Sequence, residues 1–158
     1  MSIFTLSPVG HVRGGRTEAL DDDWDSERAI IELVAGFDAD ALAGLEDFSH
    51  AEIIFLFDQV PDDRIERGAR HPRGRQDWPL VGIFAQRGKN RPNRIGVTSC
   101  LVERVEGVRL HVRGLDAIDG TPVLDIKPVM RGFLPRGTVR EPEWAREIMA
   151  EYWQSKVK

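Results

Sequence analysis

Apolar and polar positions alternate along much of this chain, with a period of two more often than the helical period. Residues 28–34 read RAIIELV and residues 51–57 read AEIIFLF, both strand-sized runs rich in β-branched and aromatic residues. Residues 3–12 alternate more weakly around Pro8 and Gly10, which predicts a strand with a bulge or an edge position. Residues 80–86 predict another strand. Residues 95–105 and 108–114 predict a hairpin turning at Glu106-Gly107, and residues 121–126 a last short strand. Two segments change period. Leu42, Leu45 and Phe48 share a helical face behind Asp38 or Asp40, which predicts a helix over 38–48 capped by one of those aspartates. Residues 143–156 predict a C-terminal helix whose Trp144, Ile148, Met149 and Trp153 need a surface to cover.

Many short, evenly spaced strands with two peripheral helices predict a mainly β fold, a closed or partly closed β-barrel. The barrel domain is expected over residues 1–135, with a C-terminal tail and helix over 136–158. Residues 13–27 read as a polar, acidic loop and residues 58–78 as a long loop rich in Arg, Gly and Pro. A loop of that length in a small domain is usually functional or disordered. Residues 87–94 are a second irregular segment, and residues 128–142 an extended tail.

The 158 residues suit one domain, and 41% apolar with 30% charged residues is an ordinary globular composition. No apolar run reaches membrane-spanning length, and the N-terminus lacks the basic-then-apolar pattern of a secretory signal. A single cysteine, Cys100, excludes an intramolecular disulfide and fits a reducing, cytoplasmic compartment. The net charge of −4 argues mildly against a nucleic-acid partner, but it is unevenly spread. Between Arg64 and Arg94 nine basic residues face only Glu66 and Asp77, while acid concentrates at Asp21-Asp22-Asp23. A basic surface on an acidic protein steers anions by its local field.

Several chemistries lack their signatures. His11, His50, His71 and His111 are not at metal-ligand spacing and no Cys pair accompanies them, so no metal is expected. No Gly-x-Ser-x-Gly elbow, dinucleotide fingerprint or P-loop is present. Two segments stand out instead. Residues 87–96, RGKNRPNRIG, combine arginines, asparagines, a proline and glycines between strands, and offer forked cationic donors on a rigid backbone. Residues 114–128, GLDAIDGTPVLDIKP, place aspartates and glycines around short apolar runs; a plain tight turn would use the same residues. His71 lies in the basic loop as Arg70-His71-Pro72-Arg73-Gly74.

These blocks, GIFAQR over 82–87, RPN over 91–93 followed by Ile95-Gly96, and LD…DGTPVLDIKP over 115–128, resemble the signature blocks of the TsaA-like (TrmO-type) family. LEDFSH over 45–50 and Pro8-Val9-Gly10 fit the same pattern, so the resemblance spans roughly residues 3–130. It implies a homodimeric β-barrel methyltransferase that uses S-adenosyl-L-methionine to methylate N6 of threonylcarbamoyladenosine next to the tRNA anticodon. By position in the motifs, Arg87, Val97, Ala117, Ile118, Asp119 and Gly120 are expected at the cofactor, with Asp62 in the loop after the 51–57 strand. Asn93 and Asp119 are the expected catalytic acceptors, since an exocyclic amine needs a group that orients it and takes its proton. His71, Arg73 and Arg91 are the expected substrate contacts. The chain departs from the family pattern at Gln86 and Arg94, where Thr and Pro are common. Two alternatives stand beside this reading: methylation of a small metabolite, and a barrel that binds S-adenosylmethionine or RNA without catalysis.

Overall fold

Alternation becomes geometry when every second side chain faces the same core. In the computed structural model, which describes residues 1–154, six strands close into one antiparallel barrel in the order β1-β2-β7-β6-β3-β8. They are β1 (Gly10–Arg13), β2 (Arg28–Leu33), β3 (His50–Leu56), β6 (Ile95–Glu106), β7 (Arg109–Arg113) and β8 (Pro122–Pro128). Strands β4 (Ala69–Arg70) and β5 (Val81–Gly82) form a separate two-stranded patch. The interior takes Val12 from β1, Ala29, Ile31 and Leu33 from β2, Ala51, Ile53 and Phe55 from β3, and Leu110 and Val112 from β7. Cys100 and Val123 complete the ring from β6 and β8. Gly96 is required here: a side-chain carbon at that position would lie 2.6 Å from the Phe55 ring. On the outside, the ion pair Arg109–Glu32 at 3.0 Å joins the neighbouring β7 and β2, and Arg28–Glu103 at 2.9 Å reaches from β2 past β7 to β6.

Four expected elements differ. The first strand is Gly10–Arg13 rather than 3–12. Sheet bonding begins where the Val9 amide donates to the Val123 carbonyl, because Pro8 has no N–H to extend the ladder. The helix over 38–48 is instead two 3-10 turns, Ala39–Leu42 and Leu45–Asp47, split by Gly44 at a φ of 85°. The expected cap is present, since Asp38 accepts from the Asp40 amide, and Leu42 still plugs the core. The strand over 80–86 shrinks to Val81–Gly82. The Gln86 side-chain amide donates to the Arg70 and Val81 carbonyls and folds the chain back through a 3-10 turn, Ile83–Ala85. The C-terminal helix α1 runs only over Glu143–Met149, and the end of the expected span lies beyond the described residues.

The hairpin of β6 and β7 turns at Gly107, in the left-handed region, as the sequence predicts. The antiparallel order has one further consequence. The ends of β1, β3 and β7 and the starts of β2, β6 and β8 share one rim. The three connections that carry the distinctive polar segments, residues 14–27, 57–94 and 114–121, therefore all leave the same end of the barrel.

Candidate functional site

Convergence on one rim makes neighbours of residues far apart in sequence. Arg87 leaves the 3-10 turn before it and its Nη2 donates to the Val97 carbonyl at 2.7 Å. Arg91 donates from Nη1 to the Gln86 carbonyl at 2.7 Å, and Gln86 in turn holds Arg70 by its carbonyl. Arg70 lies over Gly88, where a side-chain carbon would sit 2.5 Å from its Nη2. Among the described residues no carboxylate pairs with Arg70, Arg87 or Arg91, so these guanidinium groups form a cationic ridge in which backbone carbonyls hold Arg87 and Arg91. Asn93 and Arg94 follow at φ of 60° and 51°. Two consecutive non-glycine residues in the left-handed region mark a backbone held against its preference, a frequent feature of functional loops. Asn93 is exposed, and Arg94 reaches Asp62 at 3.0 Å.

The 114–121 connection is a tight turn. Ala117 is buried, Ile118 half-buried and Asp119 exposed, with Gly120 at a φ of 86°. The Thr121 amide donates to the Ile118 carbonyl at 3.2 Å, and the Gly120 amide to the Val12 carbonyl at 2.7 Å. Asp119 is fixed at both ends. Its amide donates to the Arg16 carbonyl at 2.8 Å, and its Oδ1 accepts from the Gly14 amide at 2.9 Å.

The expected substrate residues are placed differently from one another. His71 Nδ1 donates to the Trp78 carbonyl at 2.7 Å, which fixes the ring and its tautomer. Arg73, at a φ of 52°, pairs with Asp22 at 2.9 Å and lies 4.0 Å from Asp21, so the acidic loop covers this arginine. Arg91 belongs to the ridge.

Sequence reasoning missed Asp116. Its carboxylate accepts the Thr98 hydroxyl on one oxygen and the Tyr152 hydroxyl on the other, one residue before the 117–120 turn. Burial, with the Asp116 charge beside it, pushes the Tyr152 phenol well above its ordinary range. The same two causes push the Cys100 thiol up to about 12. A polar residue between the buried Leu115 and Ala117 was the available signal for Asp116; nothing in the sequence pointed to Tyr152. Arg16 was also missed. It lies 3.8 Å over the Trp24 ring and binds Glu27 and the Asp22 and Asp23 carbonyls.

Arg87 and Arg91 offer forked cationic donors and Ile118 a half-buried apolar contact, a set suited to an anionic group that carries an apolar part. Among the described residues no group of three or more His, Cys, Asp or Glu side chains is placed to hold a metal. No described helix is long and apolar enough to cross a membrane.

Comparison with known proteins gives a consistent picture. Residues 21–133 match the family described as tRNA-methyltransferase O N-terminal domain. A Pseudomonas aeruginosa relative is 41% identical over 132 residues, covering 78% of this chain and 54% of its own length. Its name proposes an S-adenosylmethionine-dependent methyltransferase, RcsF. The Escherichia coli tRNA (adenine(37)-N6)-methyltransferase is 39% identical over 110 residues, 66% of this chain and 46% of the enzyme. The crystal structure of TrmO from Pseudomonas aeruginosa superposes with a TM-score of 0.74 at 31% identity, covering 91% of this chain and 62% of that one. This chain thus spans about half the length of these curated relatives.

Proposed function

Because the chain belongs to the family of the tRNA-methyltransferase O N-terminal domain, we propose that it methylates N6 of an adenosine in tRNA, threonylcarbamoyladenosine next to the anticodon, with S-adenosyl-L-methionine as methyl donor. The observation that carries this reading is the convergence of Arg87, Val97 and the 117–120 turn on one rim, joined by direct hydrogen bonds to the barrel. The donor supplies an electrophilic methyl group on a sulfonium. The protein need supply no covalent nucleophile, only alignment and a place for the amine proton.

On this reading we assign the residue roles. Arg87 offers a fork to a carboxylate, and Val97 and Ala117, Ile118, Asp119 and Gly120 line the cofactor side, with Asp62 behind Arg94. Asp119, pinned by Gly14, takes the proton the amine loses, and Asn93 orients the amine through its side-chain oxygen. His71, Arg73 and Arg91 face the polynucleotide, the first two on the loop whose acidic cover, Asp22, an RNA phosphate would replace. A second copy of the chain completes the assembly as a homodimer. The exposed Phe84 and Ile95 beside the ridge give it an apolar surface to cover. Such an enzyme works in the cytoplasm, where its substrate is.

The deciding experiment is methyl transfer onto bulk tRNA from cells lacking the enzyme, read as a new N6-methyl nucleoside. The net charge of −4 favours a second reading, methylation of a small metabolite. The salt slope of RNA affinity separates the two. Phosphate contacts release counterions, about 0.7 to 0.9 per contact on the logarithmic scale, and a small-molecule enzyme has none to release.

A further inference from the structure

The segment after the family match, beyond residue 133, returns to the functional rim. Its anchors are specific. The Trp78 indole donates to Glu147 Oε2 at 2.6 Å from the basic loop. The Trp24 amide donates to the Tyr152 carbonyl at 2.9 Å and the Asp23 amide to the Glu151 carbonyl at 3.3 Å from the acidic loop. Tyr152 then reaches past that loop to Asp116, and its ring rests edge-on against Trp153 at 4.9 Å.

We infer that Tyr152 is a positioning residue for the cofactor turn: with Thr98 it clamps the Asp116 carboxylate, and so fixes the 117–120 turn that begins at the next residue. Two hydroxyl donors, one from a barrel strand and one from the C-terminal segment, leave the carboxylate one orientation. The other end of the turn is tied by Asp119 to the Arg16 carbonyl, and Arg16 grips the acidic loop that also holds Tyr152. The turn is therefore closed into a loop of contacts, of which Arg16 and the C-terminal segment lie outside the matched residues 21–133. A carboxylate accepting charge-assisted hydrogen bonds holds its partners more firmly than a neutral acceptor does.

The inference rests on the cofactor reading, and its test separates the two. Y152F removes only the hydroxyl and keeps the ring. It is compared with wild type and with T98V and T98S, by calorimetric titration with S-adenosylmethionine and by amide hydrogen exchange of the ligand-free protein. Y152F and T98V should each weaken cofactor binding about tenfold, and T98S, which keeps its hydroxyl, should bind like wild type. Exchange should quicken at the Asp119 and Gly120 amides in Y152F and stay unchanged in β3, which a merely structural loss would not do. If wild type binds and Y152F binds equally well with unchanged exchange at those amides, the positioning role is wrong. If wild type fails to bind, the cofactor reading falls, and unchanged exchange at Asp119 and Gly120 would still overturn the clamp.

Discussion

Arg87 donates to the Val97 carbonyl at 2.7 Å, so a loop arginine and the third residue of β6 move as one unit although ten positions separate them. The bond uses one arm of the guanidinium and leaves the fork aimed by the strand. Arg87→Ala should therefore raise the S-adenosylmethionine dissociation constant about tenfold. It should change folding stability by less than about 1 kcal/mol, because the side chain is exposed. Arg87→Lys should recover little, since a lysine cannot hold the carbonyl and offer a second planar donor together. Calorimetric titration and thermal melts check both.

Asn93 sits at a φ of 60°, which glycine adopts without strain. Two roles are possible for it, backbone and side chain, and two substitutions separate them. Asn93→Gly should keep stability within about 1 kcal/mol of wild type and lose at least about tenfold in methyl transfer. Asn93→Ala should lose both turnover and stability. Single-turnover assays with matched melts decide; full turnover in Asn93→Gly would reduce Asn93 to a turn residue.

Asp119 caps the Gly14 amide at 2.9 Å. Asp119→Asn keeps an acceptor for that amide but cannot take a proton. It should leave cofactor affinity within about twofold and lower turnover by at least about a hundredfold, the ordinary scale of general-base loss. Asp119→Ala should in addition cost about 1 kcal/mol of stability. The split between binding and turnover is the readout.

Tyr152 is the only tyrosine, so phenolate absorbance reports it alone. Burial and the Asp116 charge raise its folded-state pKa above the ordinary value of 10.0. The unfolded chain therefore releases this proton first as pH rises. The contribution to stability is complete below about pH 10 and declines above it. Alkaline titration of the folded protein should show no phenolate until the chain unfolds. Cys100, pushed up to about 12 and buried, should likewise resist thiol reagents at neutral pH and react on unfolding.

The barrel was legible because it is written in the period of two. The interior residues of β2, β3 and β7 are the alternate positions of runs that read as strands, and the β6–β7 hairpin announces itself at Gly107. What failed was local chemistry overruled by partners. Nothing in residues 80–86 showed that Gln86 would bond back to Arg70 and Val81 and end the strand after two residues. Gly44 was visible, but helical spacing alone could not weigh its left-handed turn against the leucines on either side. At the site, Arg87, Val97 and the 117–120 turn came from motif positions, and their hydrogen bonds to the barrel depend on closure. Tyr152 could not be found from sequence, because its partner Asp116 is 36 residues away and only the path of the C-terminal segment brings them together.

The most direct test is calorimetric titration of the purified full chain with S-adenosylmethionine. Saturable binding at one molecule per protomer, lost or weakened about tenfold in Arg87→Ala, is the result this account predicts. No heat of binding at millimolar cofactor with the protein folded would contradict it, and the ridge of Arg70, Arg87 and Arg91 would then belong to another anion.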